Sequence, residues 1–538
     1  MRKALFCLLV AVCAAAWAED GARLLVISTD ALYNSILPLA QWKQATGLTT
    51  KVVTLSEIGS DTASIKNYIR SAWNNWPVKP EFVLLVGSNS SLPAGAYRVS
   101  HNGYYYSDNL YGDVTGNFQM DIPVGRFPAK STAQLDLMVA KTLSYEKTPV
   151  LSDTIWTRRM TTLCRDAGDD DAPTYWADIR LAVGLAAANG FVSFDSLASS
   201  RGHNQQSVIN SINAGTGMVL YRGAATGNWY EPFSVDPAAT ASTGKLPLIL
   251  SFTCATMTLA PGESMIGEAW LKAGTVALPR GGAAFFGNTH SASNVAQQRS
   301  AVCRGFCTGL FSEHKYRLGL ACIRAKQQLY LQYPSDTSDY RGFNLLGDPT
   351  LDVWTGLPRV LTVEHPAAIQ PVPQQLHVVV TSAAGPEDSA LVCASMDTTV
   401  YAWGYTNDSG AIDLDISPGG DGLLRLVVTG HNLCAYDTVI PVSTVGVEEQ
   451  AQPYRAGPVN LAAAPAVFAR TTKITWNRNI AGALVNVFDA TGRTVTTLRV
   501  DGSGAVWHAQ GVPAGSYVCM LVDRQGRTLG RTRALKLQ

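Results

Sequence analysis

The 538-residue chain is poor in charge: only 15% of its residues are Asp, Glu, Lys or Arg, and 42 basic against 41 acidic residues leave a formal net charge of +1. That balance gives no electrostatic reason for nucleic acid or an anionic membrane surface as partner. Long apolar runs are also missing. Beyond the first eighteen residues no stretch reaches the ~18 uninterrupted apolar residues that a membrane-spanning helix needs. The ten cysteines lack the dense, regular spacing of a disulfide scaffold. Wholesale disorder is excluded by the 46% hydrophobic content, with Gly and Pro spread along the chain. A single compact core is excluded by length, which calls for about three or four domains at roughly 100–200 residues each.

The first eighteen residues read MRKALFCLLVAVCAAAWA. Arg2 and Lys3 precede an apolar run from Ala4 to Ala16, and Ala16-Trp17-Ala18 forms a small-x-small cleavage site. Residues 1–18 are therefore expected to be a secretory signal peptide, with the exported chain starting at Glu19, soluble and without a membrane anchor. Cys7 and Cys13 leave with the signal, and the other eight cysteines suggest no particular pairing.

From Arg23 apolar strands alternate with helix-like segments: LLVIS, a helix over 36–46, a strand over 50–55, a helix over 64–73 and a strongly apolar strand over 82–86. A second alternating set starts near Trp156, with strands expected at 159–164, 217–221, 246–252 and 282–286. Alternation of this kind predicts a parallel sheet covered by helices on both faces, with chemistry at the carboxyl ends of the strands. After Trp354 the composition turns all-β. The segments LTVEH, LHVVVTS, ALVCASM, TVYAWGY, LLRLVVTG and DTVIPVS predict an immunoglobulin-like sandwich over 357–443. Residues 444–457 lack periodicity and read as a linker, and a last small β-sandwich is expected over 458–538.

Three strand ends carry candidate chemistry. Cys254 follows the apolar run LPLILSFT, so its thiol is placed as a nucleophile at the active edge of the sheet, or else as a buried structural cysteine. The next strand ends in Phe286-Gly287-Asn288-Thr289-His290, and an upstream strand ends in Tyr221-Arg222-Gly223-Ala224-Ala225.

The segments VLLVGSNSSLPA (83–94), YSDNLYGDVTGNFQMDIPVGRFP (106–128), KLPLILSFTCATM (245–257) and NLLGDPTLDVW (344–354) resemble the gingipain family of secreted cysteine endopeptidases. That resemblance implies a caspase-like α/β fold: an N-terminal α/β subdomain over 19–150, then a catalytic subdomain over 151–356 with a His and a Cys on adjacent strand ends. Cys254 matches the nucleophile. The family pattern Tyr-x-Gly-His-Gly upstream is replaced by Tyr221-Arg222-Gly223-Ala224-Ala225, so Ala224 stands where the imidazole belongs. A methyl group neither accepts a proton from the thiol nor donates one to the leaving amine, and such catalysis is typically worth ~10²–10⁴-fold. The expectation is an impaired cysteine endopeptidase or a pseudopeptidase that retains a peptide-binding or adhesive role.

Further positions follow from the same resemblance. Asp169 matches the acid that orients the family's histidine; its loop of clustered carboxylates also reads as an exposed acidic turn or a calcium site, although no cofactor is required. Asp178 resembles the acidic specificity residue for Arg or Lys side chains, or is a plain Asp near a helix N-terminus. Asn288 is placed in the substrate pocket, and His290 is either a surrogate base or a pocket-lining polar residue. Gly223 and Cys254 are placed at the oxyanion hole, where the change of the following Gly to Ala225 restricts the backbone. Cys303, Cys307 and Cys322 read as core residues, as do Trp229 and Trp270. The terminal domain resembles a type IX secretion sorting domain, through Pro465, Ile474, the 487–493 turn, Gly511, Pro513-Ala514-Gly515 and Lys536. It implies export, a secreted or cell-surface location and contact with that secretion machinery.

Overall fold

The computed structural model describes residues 21–99, 103–291, 296–444, 459, 461–477, 480, 483–489, 493–500, 503–523 and 528–537. The signal peptide, nearly all of the expected linker and His101 lie outside the described residues. The chain divides into two compact units, 1–446 and 447–538.

The first unit is built on one ten-stranded sheet. Its strands in chain order are β1 (Leu24–Ser28), β2 (Thr50–Thr54), β3 (Phe82–Val86), β4 (Val124–Phe127), β5 (Arg159–Cys164), β6 (Ser193–Ala198), β7 (Met218–Arg222), β8 (Leu248–Ala255), β9 (Ala284–Asn288) and β10 (Phe343–Leu346). The spatial order is β2-β1-β3-β4-β10-β9-β8-β7-β5-β6. Helices cover both faces, among them α1 (Tyr33–Ala45), α2 (Thr62–Asn75), α3 (Thr132–Lys147), α4 (Ala172–Ala188), α5 (Gln205–Ala214), α6 (Ile266–Lys272), α7 (Ala296–Cys307), α8 (Leu318–Gln332) and α9 (Thr337–Gly342). β1, β3 and β9 are buried along their whole length, as central strands covered on both sides must be.

The sheet differs from the expected all-parallel arrangement at one joint. β10 lies parallel to β4 and antiparallel to β9, so two parallel halves of opposite direction are fused. One hydrophobic cluster, with Val26 and Leu84 from one half and Val219, Ile249 and Phe285 from the other, runs across that joint. Local chemistry sets several element ends. The Asp61 carboxylate caps the Ala63 and Ser64 amides, so α2 starts earlier than periodicity alone predicts. An Asn204–Ser207 capping box starts α5. The run containing Cys254 stays in the sheet through Ala255, with a register irregularity against β9 after Leu250, so the cysteine belongs to the strand rather than following it.

Residues 362–442 form two four-stranded sheets around a core that includes Leu376, Val378, Val392, Leu424 and Ile440. The strand Ala411–Ile416 was not expected, because its alternation is carried by three apolar residues separated by aspartates. This part rests on α1 and α3: the Tyr401 hydroxyl donates to the Gln44 carbonyl at 3.0 Å, and Lys147 pairs with Asp437 at 2.6 Å. The second unit carries a three-stranded and a five-stranded sheet with Trp476, Val485, Trp507 and Leu521 between them. Its last strand, Thr528–Lys536, pairs along Gly515–Val522. Among the described residues no helix is long and apolar enough to cross a membrane.

Candidate active site

β8 is buried at every position except Cys254, which is half-buried. Strand alternation and sheet burial therefore leave one side chain of this strand open at the edge, and it is a thiol. β7 and β8 run parallel, with Tyr221 opposite Ser251. Ala224 and Cys254 each lie three residues further along, so they are level on neighbouring strand ends. The Thr253 hydroxyl donates to the Gly223 carbonyl and ties the two ends together. The chain then hooks across β8, where the Gly227 amide donates to the Ala255 carbonyl at 2.8 Å.

Gly223 has φ +157°, and a Cβ there would lie 2.6 Å from the Arg165 Cβ and 2.8 Å from the Tyr221 hydroxyl, so no other residue fits without movement. Its amide has no hydrogen-bond partner among the described residues. The Ala224 carbonyl accepts from the Tyr221 hydroxyl at 2.6 Å, and its methyl group is half-buried. Ala225, which pairs with Trp229 in a short hairpin, is buried.

Among the described residues no imidazole hydrogen-bonds to Cys254. His203 bonds the Ala198 backbone at 3.2 Å, His314 the Tyr316 hydroxyl, His377 Asp413, and His431 both Asp352 and Thr355. His290 lies just past β9, whose last residue Asn288 stands opposite Ala255. The residue is 8% exposed, and its ring packs on Tyr105 with centroids 4.7 Å apart. Burial, and then the Arg299 charge, lower its pKa from the usual histidine value, so the ring is neutral at pH 7.

Asp169 does have a partner: Arg165 Nη1 donates to its Oδ2 at 3.3 Å, and the Asp171 amide donates to its Oδ1. Asp166 accepts from the Ser199 and Ser200 hydroxyls, the Ser200 amide and the Trp176 indole; although burial opposes it, these donors hold its pKa down at about 2. These carboxylates are engaged by the protein itself. Among the described residues no group of three or more His, Cys, Asp or Glu is placed to hold a metal ion.

Two expected substrate contacts face the interior instead. Asp178 is fully buried, with Oδ2 accepting from Arg222 Nε at 2.9 Å and from the Ser300 hydroxyl at 2.6 Å, and Oδ1 accepting from Arg304 Nε at 2.8 Å. Its helix turns it inward against β7 and α7, where the carboxylate is sealed from solvent. Asn288 is also fully buried, donating to Asp339 at 2.7 Å and accepting from the His290 amide at 2.8 Å. Cys303, Cys307 and Cys322 pack in the core as expected, and all eight described cysteines are unpaired. Trp229 and Trp270 are core residues.

Sequence reasoning missed Arg222, Arg165, Tyr175 and Ser291. Arg222 closes an otherwise apolar strand, MVLYR, and a charge buried at such a place must find several partners. Its guanidinium donates to Asp178, to the Phe252 and Ala296 carbonyls and to Ser300, and stacks 4.9 Å from the Tyr175 ring. Ser291 accepts from the Ala255 amide at 3.3 Å, beside Cys254.

A thiol open at the edge of a parallel-rich α/β sheet, beside a glycine loop from the neighbouring strand, defines a cysteine-peptidase scaffold. The family model described as Peptidase family C25 matches residues 18–354, and the chain belongs to that family. It is similar to Gingipain R2 of Porphyromonas gingivalis, 23% identical over 501 residues that cover 89% of this chain and 64% of that protein. Gingipain R1 of the same organism is 23% identical over 507 residues, covering 89% of this chain and 48% of that protein. The chain therefore spans less than two thirds of the length of these relatives. The crystal structure of the Arg-specific cysteine proteinase gingipain R superposes with a TM-score of 0.71 at 20% identity, covering 79% of this chain and 99% of that one. A complex of pro- and mature domains from Porphyromonas gingivalis gives 0.70 at 20% identity, covering 78% of this chain and all of that one.

Proposed function

We propose that the protein is an exported gingipain-like cysteine endopeptidase with an impaired centre, in which Cys254 is the nucleophile and Ala224 replaces the general base. The observation that carries this reading is the level placement of Cys254 and Ala224 on adjacent parallel strand ends. In the reaction, the Cys254 sulfur attacks the scissile carbonyl and forms a thioester through an oxyanion. The unpartnered Gly223 amide is suited to that oxyanion. A free thiol with a pKa near ~8.5 is only a few per cent ionised at neutral pH, so attack without a neighbouring base is slow but chemically open. His290 is neutral and so able to accept a proton, but its ring is engaged with Tyr105. Asp169 has its charge matched by Arg165 and serves to hold the loop.

The second reading, a non-catalytic peptide-binding or adhesive protein, is favoured by the same methyl group at 224. In either case residues 1–18 act as a signal peptide, 357–443 as an immunoglobulin-like module and 458–538 as a type IX sorting domain, which places the protein outside the cell or on its surface. The paired sheets of both β-parts are consistent with these assignments.

Restoring the imidazole discriminates the two readings. The Ala224→His variant is expected to hydrolyse peptides ~10²–10⁴-fold faster than the natural chain. An unchanged rate in a folded variant favours the binding protein.

A further inference from the structure

The near-zero net charge of the whole chain, which gives no reason to expect an anionic surface as partner, conceals an uneven distribution. Residues 458–538 carry ten Lys or Arg against three Asp or Glu, a net charge of +7, while residues 1–457 carry 32 against 38, a net charge of −6. Charge of one sign concentrated in a small unit opposes folding by self-repulsion, and it marks a partner of the opposite sign.

Part of that charge is collected on one face. In the five-stranded sheet of this unit the strands Val467–Phe468, Thr528–Lys536, Gly515–Val522, Leu484–Phe488 and Thr494–Arg499 lie side by side in that order. Alternation sends Val485, Val487, Cys519, Leu521 and Ala534 into the core. Arg531, Arg533 and Leu535 point the other way, opposite Met520, Val518 and Ser516 of the next strand. Val467 pairs with Leu535, and Arg499 with Leu484, on that same outer side. All three arginines are exposed, and Val467 and Leu535 are 51% and 43% exposed, so cations and large apolar groups stand together in water. Among the described residues none of the three guanidinium groups has a partner, and the five strands contain no acidic residue.

We propose that this outer face is a docking surface for an anionic lipid bilayer, with Arg499, Arg531 and Arg533 at the headgroup phosphates and Val467, Leu484 and Leu535 at the boundary with the acyl chains. An arginine lays its stem along apolar surface while its charge stays at the polar level, and burial of apolar groups adds to attraction by anionic headgroups. A protein partner calls for an apolar centre depleted of charge with the charges at its rim. Here Arg533 and Leu535 stand two residues apart on one strand, cation and apolar group at one level. A second copy of the chain is disfavoured because like charges would meet across the contact. A stacking platform for nucleic acid bases is missing, since Trp476, Trp507 and Tyr517 are buried in the core. The inference concerns the terminal unit and does not depend on the chemistry of Cys254.

Co-sedimentation of the full chain with phosphatidylcholine vesicles, with and without phosphatidylglycerol, tests it over a range of salt. Binding is expected only where phosphatidylglycerol is present, and it should weaken as salt rises. Arg531→Gln combined with Arg533→Gln is expected to weaken it about 25-fold, at about fivefold for each cation near the surface. Arg470→Gln combined with Lys473→Gln removes the same charge at exposed positions on and beside a strand of the other sheet, and should weaken it only slightly. Val467→Ser combined with Leu535→Ser should remove the binding that survives at high salt. All of these side chains are exposed, and unchanged thermal unfolding of each variant shows that the fold is kept. Equal losses for the two charge pairs would assign the effect to net charge and overturn the face. Equal binding to both kinds of vesicle, or none to either, overturns the docking surface, as does retention on polyglutamate or duplex DNA without binding to vesicles.

Discussion

Arg222 and Asp178 form an ion pair sealed inside the molecule, with Nε and Oδ2 2.9 Å apart and both side chains at most 1% exposed. The remaining guanidinium donors reach Phe252, Ala296 and Ser300, so one residue joins α4, β7, β8 and α7 behind the candidate nucleophile. Removing one member of such a pair leaves an uncompensated buried charge, a loss of about 3–5 kcal/mol. Asp178→Ala and Arg222→Met are each expected to lower the midpoint of denaturant unfolding markedly. Because Asp178 is sealed from solvent and already accepts from Arg222, Ser300 and Arg304, any residual peptide preference should not depend on it; a selective loss of binding to Arg or Lys peptides in a folded Asp178→Asn protein would contradict this geometry.

The thiols differ sharply in access. Cys254 is half-buried, while Cys164, Cys303, Cys307, Cys322, Cys393, Cys434 and Cys519 are buried, and burial pushes the Cys164 and Cys393 pKa values up to about 12. Brief alkylation of the native protein is therefore expected to modify Cys254 alone, as read by mass spectrometry of the digested chain. Comparable labelling of a second cysteine before unfolding would show that the end of β8 is not the one open thiol site.

Gly223 is a sterically fixed position. A methyl group there meets Arg165 and the Tyr221 hydroxyl at 2.6 and 2.8 Å, on a backbone with φ +157°. Gly223→Ala is expected to lose on the order of 1–3 kcal/mol and to displace the loop that carries Ala224. Calorimetry of the variant checks the stability. Loss of the gain otherwise produced by Ala224→His checks the loop.

Asp339 supplies a pH dependence. Burial, above all, raises its pKa to about 6, against the Arg299 charge, which lowers it. The folded state then binds more protons than the unfolded chain between about pH 4 and 6, so this group's contribution to stability is greatest at low pH and falls as pH rises through that window. Asp339→Asn cannot titrate and still accepts from Asn288. Its stability relative to the natural protein is expected to improve by on the order of 2 kcal/mol from pH 4 to pH 7. A stability difference that stays flat over that range would show that the carboxyl is ionised throughout.

The legibility of the chain followed the range of the forces involved. Strands such as Phe82–Val86 and Arg159–Cys164 were readable because an apolar run bounded by turn residues has one stable use in a sheet. Val124–Phe127 and Ser193–Ala198 were not expected as strands: the first is four residues long, and the second, at the sheet edge, carries polar residues on a half-exposed surface. Cys254 could be picked out because its strand end resembles a family segment, and Ala224 because its strand end was read as departing from one. Asp178 and Asn288 could not be placed, because whether a polar side chain faces a groove or an internal arginine depends on partners more than forty residues away along the chain.

By itself the sequence determined the alternation of strands and helices, the presence of a thiol near a strand end and the Gly223-Ala224-Ala225 run at the end of the neighbouring strand, since these depend on local pattern and residue identity. The tertiary structure alone decided that two parallel halves meet antiparallel at β10, that Ala224 is level with Cys254, and that Arg222 pairs with Asp178 in the interior. Those are relations between distant segments, set by strand register and by the need to pair buried charge, and neither is written in any single stretch of chain.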